Sequence, residues 1–461
     1  MDTCAVNIPN HSTLKGFTSN NYNMATKLIS VPVATAIGLG AIIGAGIFVL
    51  SGTAIALAGP EALISFIIVG IIALLIALQL GELGSIMPLA QGASYSYVYS
   101  ALGSEMGFIT GLLFYFSFAT SISVVALGFG SYLASILGMQ SSSAVYFAIC
   151  LIFALAALNL AGIGKAAKAD SALVAIKLGI LIIFIAFAFA VAFVYGHFSQ
   201  SNFLIYPQTS GIAAIFAASV VVFFAYSGFQ SISTLTPNIR GGAIGAAKAI
   251  LAAVSISMVI YVLVALSLIL LAPASSYTVS GDPLSFALQS SGAPGYLFIL
   301  VSIGALIATA SATLAMLLSS SRIMRQISAD HLLPHALSKY DKKSGASYNA
   351  ILVSAFIGIV MLFSGNIYII AAIANFGLLF SYIMSSVSLI HFRRLGKAGS
   401  VASPFYPYLP IITIASLLVL MSGMPYESLL IGIISVMCLI TVYYSLREIR
   451  GKKVIRIKLF D

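Results

Sequence analysis

Residues Gly38 to Phe48 read GLGAIIGAGIF and lie inside an apolar run from Pro32 to about Ala58. A run of that length predicts a membrane-spanning helix, which takes about 20 apolar residues. Yet it holds four glycines, at positions 38, 40, 44 and 46. Glycine weakens a helix, and a bilayer offers no water to backbone groups that a break exposes. Such a run either packs small residues against a neighbouring helix or breaks in order to hold something with its freed backbone. A dinucleotide fingerprint is excluded, because the spacing is G-x-G-x-x-x-G and no strand-helix context surrounds it.

Outward from this stretch the whole chain reads as membrane protein. Of 461 residues, 61% are hydrophobic and 7% charged, against roughly 25% charged in soluble domains. Segments 32–57, 61–87, 106–136, 142–161, 169–196, 211–238, 245–272, 294–321, 347–364, 366–392, 405–422 and 426–446 are each long and apolar enough to be read as a span. The expected fold class is therefore an all-α polytopic membrane protein of twelve helices. Residues 1–30 are expected to form a polar cytoplasmic tail, 31–447 one transmembrane domain, and 448–461 a basic cytoplasmic tail beside anionic lipid. The N-terminal stretch lacks the short apolar core of a cleavable signal, and Cys4, Cys150 and Cys438 form no disulfide framework.

The net charge of +10 suggests a polyanionic partner only until its distribution is read. With the N-terminus inside, 20 of the 21 Lys and Arg residues fall in the tails, in the even-numbered loops or, for Lys248, at an inner helix end. The external loops carry Glu61, His197, Asp282 and Glu427 but no Lys or Arg. This is the positive-inside bias that fixes topology, so no nucleic acid is implied.

The exception is Lys177, in ADSALVAIKLGILIIFIAF. A helix entering near Ala169 places it roughly 12 Å deep at 1.5 Å per residue, where a lysine costs about 2.5–3.5 kcal/mol on insertion scales. Either it snorkels to the headgroups or it faces the bundle interior and donates to carbonyls and a hydroxyl. Burial disfavours a charged ammonium, which suits the interior lysine to proton exchange. Asp170, seven residues earlier, is expected to cap the start of its helix.

A second interruption occurs in SVVVFFAYSGFQSISTLTP, where Ser227, Gly228 and Gln230 break an apolar helix that Pro237 ends. If helices 1–5 (residues 31–197) and 6–10 (211–393) are repeats, followed by helices 11 and 12 (405–447), the breaks occupy matching places. Paired breaks of this kind point to the binding site of an inverted-repeat transporter. Backbone N–H groups freed at a helix N-terminus favour a carboxylate, and freed carbonyls accept from an ammonium, so a zwitterion fits.

GAIIGAGIF, GELGSIMPLAQGASYSYVYSALG, FFAYSGF and SRIMRQISADHLLPHALSKY occur in this order along the chain. As a set they resemble the amino acid–polyamine–organocation superfamily of transporters over residues 30 to 445. The resemblance implies the five-plus-five inverted repeat of the leucine transporter fold, with helices 1 and 6 interrupted. It implies a carboxylate site at the amides of Ala45 and Gly46, with Gly44 supplying room. It implies ammonium acceptors at the carbonyls of Ile42, Phe224, Ala225 and Ser227, and Phe224 as the aromatic gate. In proton-coupled relatives a helix 5 lysine takes the place of sodium; that position is Lys177, with Ser311 of helix 8 as its hydroxyl partner, whereas Thr309 and Thr313 lie on other faces. Where many relatives carry acids after the helix 6 Gly-Phe pair this chain has Gln230, Thr236, Pro237 and Asn238, and at the helix 3 position where some carry Glu it has Ser117. Those departures argue against cationic cargo.

The expected function is secondary active transport of a neutral amino acid by proton symport in the plasma membrane, with both termini cytoplasmic. Alternatives are an exchanger in which Lys177 stays charged, or a non-transporting amino acid sensor. An enzyme is not expected: apart from Lys177 the apolar helix interiors hold no acid, base or histidine. No P-loop is present and no cofactor is expected. His331 and His335 are interrupted by Pro334 and have no acidic or cysteine partner nearby, which disfavours a metal site. Glu82 and the stretch up to SYSYVY are expected to form the inner loop between helices 2 and 3.

Overall fold

The computed structural model describes residues 28–88, 93–160, 166–195, 199–204, 210–339, 347–364, 366–397 and 399–451. The expectations for the tails before residue 28 and after 451, for His197 and for Cys4 lie outside them. The described residues are helical almost throughout: α1 Val31–Ile42, α2 Ala45–Ala58, α3 Ala62–Ile86, α4 Ser94–Leu102, α5 Ser104–Leu137, α6 Ala144–Leu160, α7 Ala166–Phe189, α8 Ile212–Tyr226, α9 Gly242–Leu271, α10 Pro283–Ser290, α11 Gly295–Ala329, α12 Tyr348–Met361, α13 Ile367–Arg394, α14 Tyr408–Ser422 and α15 Tyr426–Gly451.

Among the described residues nine stretches are long and apolar enough to cross a membrane. The difference from twelve has a simple origin. Gly46–Ile86 is one apolar stretch, although a 3-10 turn at Gly59–Glu61 divides it into α2 and α3. The helices α1, α12 and α14 have 12, 14 and 15 residues, too few at 1.5 Å each to cover about 30 Å of hydrocarbon as α-helix alone. Two further expectations are corrected. α7 starts at Ala166, so Asp170 lies inside the helix rather than at its cap; Ala166 and Ala167 are strong helix formers and extend it backwards. Glu82 belongs to α3, not to a loop, and SYSYVYSAL forms α4.

Both interruptions are visible in the backbone. The first expected span is two helices, α1 and α2, with Ile43 and Gly44 between them. The other is α8 followed by Ser227, Gly228 and a 3-10 helix, Phe229–Asn238. The extended lead-in to α1 pairs with the end of that 3-10 segment: the Ile29 N–H donates to the Asn238 carbonyl at 2.9 Å, and the Arg240 N–H to the Ile29 carbonyl at 2.9 Å. Around these broken elements α5 packs on α11 and α13, α3 on α9, and α2 on α8. α5 has 34 residues and α11 has 35, about 50 Å each, so both tilt if they cross a bilayer.

Glu82 shows what its buried end of α3 does. Its carboxylate is fully buried, forms an ion pair with the Arg393 Nε at the end of α13, and accepts the Ser403 N–H at 2.7 Å. Arg393 also lies over the Tyr406 ring, 5.0 Å from its centroid. Three chain segments meet on one carboxylate, which makes it a fold-maintaining group. Glu82→Gln replaces one acceptor oxygen by a donor that neither partner can use. A buried hydrogen-bonding group left unmatched costs about 1–3 kcal/mol, so the variant is expected to melt several degrees lower in detergent without a change in ligand specificity.

Candidate functional site

The break in the first span is built from three residues. Ile43 has φ −76° and ψ 64°, and the Gly44 N–H donates to the Ile42 carbonyl at 2.7 Å, which is the geometry of an inverse γ-turn. Gly44 then starts α2, and no side chain caps that helix end. The first backbone N–H groups of α2, Ala45 and Gly46 among them, have no acceptor within their own helix, and the dipole is positive there. Gly46 is required by packing: a Cβ at this position would overlap the Ala225 backbone.

The second break puts the opposite helix end alongside. α8 finishes at Tyr226 and Ser227 turns extended, with φ −62° and ψ 149°. Ser227 donates both its hydroxyl (2.7 Å) and its N–H (3.1 Å) to the Phe224 carbonyl. Gly228 has φ +117° and lies so close to α1 that a Cβ would overlap the Ala41 carbonyl. The Gly228 N–H and the Tyr382 hydroxyl donate to Gln230 Oε1 at 3.0 and 2.9 Å, tying the turn to α13. The N-terminus of α2 therefore lies beside the C-termini of α8 and α1, so donors and acceptors of the backbone face one space.

That space is a cavity of about 390 Å³, lined beside the breaks by Ile42, Gly44, Gly46, Phe224, Ala225 and Ser227, with Lys177 and Ser311 also on its wall. The lining thus brings together every expected site residue whose side chain is described; that of Ala45 lies outside the described residues. The volume is within the range of small-molecule sites, about 300–1,000 Å³. Lys177 is 2% exposed. α7 reaches the break because Gly40 of α1 leaves no room for more than a hydrogen against Val174, one turn before Lys177. Ser311 donates to the Ala308 carbonyl of its own helix at 3.0 Å; the oxygen lone pairs of a hydroxyl so engaged can still accept. Thr309 and Thr313 are fully buried, bonded to the Ala305 and Thr309 carbonyls, and do not line the cavity. Among the described residues no group of three His, Cys, Asp or Glu is arranged for a metal; the His335 imidazole contacts the Ser338 hydroxyl at 2.8 Å.

One residue at the site was not singled out from the sequence. The Tyr261 hydroxyl of α9 lies 2.7 Å from the Ile42 carbonyl and 2.9 Å from the Ala225 carbonyl. A single O–H hydrogen bridges the carbonyl ends of both breaks, while the ring stacks edge-on against Tyr226 at 5.0 Å. Its signal in the sequence was a tyrosine in the otherwise apolar SISMVIYVLVAL, since a buried phenol needs a partner. Tyr261→Phe keeps the ring and removes the bridge. It is expected to lower the melting temperature by an amount corresponding to about 1–3 kcal/mol, and the shift relative to wild type measures how strongly the two breaks are tied.

The model of the family described as amino acid permease matches residues 33–448. The chain belongs to the amino acid permease family. Members of this family are transporters and not enzymes, and this permease is a multi-pass membrane protein. It is 29% identical over 381 residues to the branched-chain amino acid permease BcaP of Bacillus subtilis (strain 168), covering 78% of this chain and 79% of the relative. It is 28% identical over 410 residues to the methylthioribose transporter of the same organism, covering 85% and 87%. The vacuolar cationic amino acid transporter 2 of Arabidopsis thaliana is 27% identical over 399 residues, 81% of this chain and 61% of the relative. The names of these relatives span three kinds of cargo at nearly equal identity, so cargo has to be argued from the site.

Proposed function

We propose that this permease carries neutral amino acids across the cytoplasmic membrane in symport with protons, by alternating access around the two broken spans. The observation that carries this reading is the chemistry of the cavity: the uncapped start of α2 for a carboxylate, the carbonyl ends of α1 and α8 for an ammonium, and, among the described residues, no Asp or Glu in the lining. A cationic side chain would meet Lys177 and Arg322 in the same cavity and, among the described residues, no counter-charge. Val125, Phe224 and Met316 give the cavity apolar surface. Two relatives named as branched-chain permeases, from Bacillus subtilis and Lactococcus lactis, are consistent with aliphatic cargo. Leucine, isoleucine and valine are the first candidates.

The reading includes twelve spans in a five-plus-five inverted repeat, with α1–α2 and α8 plus its 3-10 continuation as the matching broken pair. Packing supports it: α5 meets α6 as α11 meets α12, and α5 meets α13 as α11 meets α7. The short helices α4 and α10 follow the second and seventh spans in the same way. Lys177, buried beside the α1 break and sharing the cavity with Ser311, is the proton-responsive group: protonated, it ties α1 to α11; deprotonated, it releases α1. The cavity extends from the breaks to Arg322 at the basic end of α11, which the positive-inside bias puts in the cytoplasm, so this conformation is inward-facing.

The test is a melting screen of the purified protein against the twenty amino acids, since a ligand that binds only the folded state raises apparent stability. It is followed by uptake of the best ligand into liposomes under an imposed pH gradient. Neutral aliphatic amino acids are expected to stabilise the protein and to accumulate only when the outside is acid. A response to arginine and lysine instead, or uptake that requires preloaded internal substrate and ignores the pH gradient, removes the neutral-cargo or the symport part respectively.

A further inference from the structure

The cavity is longer than the site between the breaks requires. From Ser311 it follows one face of α11 through Ala315, Leu318 and Ser319 to Arg322. These spacings of three and four residues make a single stripe, and eleven residues at 1.5 Å place Arg322 roughly 16 Å from Ser311. The facing wall is Ile37 of α1 with Ser231 and Leu235 of the 3-10 segment. It is a path with apolar walls, two hydroxyls and one guanidinium at its mouth.

Among the described residues the charge at that mouth is one-sided. Among the described residues Arg322 has no hydrogen-bond or ion-pair partner, and its side chain is exposed. Arg325, one turn further, adds like charge beside it. The acid nearest along the chain, Asp330, is already held by the Tyr95 hydroxyl at 2.6 Å and by Gln326 at 3.2 Å. Arg393, by contrast, is matched by Glu82. Among the described residues none that lines the cavity is acidic. A planar guanidinium left in this way is suited to a carboxylate, which it can bind with two parallel hydrogen bonds.

We infer that Arg322 forms a second, weaker carboxylate subsite at the inner mouth, which receives the amino acid after it leaves the start of α2 and raises its local concentration there on re-entry. The inference rests on the proposed amino acid transport through this cavity. The separation along α11 means that one small zwitterion occupies the two subsites in turn, not together. Because Arg322 is exposed, its contribution is that of a screened charge.

The probe is labelled leucine, with the full-length permease reconstituted in phosphatidylcholine vesicles, with and without phosphatidylglycerol. Half-saturation is measured for internal leucine by counterflow and for external leucine by uptake, for wild type, Arg322→Gln and Arg322→Lys. The ratio of internal to external half-saturation is expected to rise about 2- to 5-fold in Arg322→Gln, to stay near wild type in Arg322→Lys, and to lose its dependence on residue 322 at high salt. An unchanged ratio in Arg322→Gln, with melting temperature and transport retained, overturns the subsite alone. A shift seen only in vesicles containing phosphatidylglycerol overturns it in favour of a lipid-headgroup contact. If no amino acid stabilises or is carried by wild type, the proposed function itself fails and the subsite falls with it.

Discussion

Lys177→Ala is expected to abolish leucine accumulation driven by a pH gradient, down to the level reached without a gradient, while leaving exchange of leucine across the membrane measurable. The reasoning starts from burial. An ammonium that is 2% exposed on a helix crossing a membrane has lost most of its hydration, a cost of several kcal/mol unless neighbours replace the water. The cavity wall it shares with Gly44 and Ser311 offers carbonyl and hydroxyl oxygens for that purpose. In the proposed mechanism, loss of the proton removes the charge and one of three N–H donors, which weakens these interactions and loosens the α1 break. Alanine removes the charge and its desolvation cost together, so the folded protein is expected to keep or slightly raise its melting temperature. Uptake under an inward proton gradient, set against counterflow in the same liposomes, separates coupling from translocation. A variant that still accumulates leucine in response to the gradient shows that Lys177 is structural and that the proton uses another group.

The second large effect concerns Gly228. Its φ of +117° costs a side-chain-bearing residue about 1–2 kcal/mol, and a Cβ would overlap the carbonyl of Ala41. That oxygen belongs to the backbone at the end of α1 and cannot swing aside as a flexible side chain could. Overpacking of such a contact costs about 1–3 kcal/mol, so Gly228→Ala is expected to lose about 2–5 kcal/mol in all and to push the two breaks apart. Thermal melting in detergent should drop sharply, with ligand-induced stabilisation lost in whatever protein remains folded. Gly179→Ala on α7 is the control. A Cβ there meets nothing within 4 Å, and alanine is the better helix former, so melting and transport should both stay at wild-type level. Equal melting of the two variants would mean that the close approach of the breaks does not constrain the fold.

How much of this was legible beforehand follows from the kind of signal each residue carries. The glycines of GAIIGAGIF and the Ser227–Gly228 pair stand out because glycine and serine are costly inside an apolar helix, and the costs are local. Lys177 stands out for the same reason, as a charge among Ile176 and Leu178. The ends of the elements were less readable. The helix of Glu82 runs on through GELGSI to Ile86, because its carboxylate is matched by an arginine 311 residues away, and no local pattern announces that. Asp170 resembled a cap, yet alanines before it carry α7 further back. Arg322 was read only as part of the inward positive bias, although it also lines the cavity.

The sequence by itself determined the membrane environment, the sidedness expected from charge, the two interruptions and the buried amine, since apolar length, charge and glycine content act residue by residue. The tertiary structure alone decided which groups meet. Helices such as α3 and α9 are apolar on every side, as lipid and protein neighbours both allow, so no stripe in the sequence says which face turns inward. Only their packing brings the Tyr261 hydroxyl between the carbonyls of Ile42 and Ala225, seats Gly46 on Ala225, and runs the cavity down α11 to Arg322.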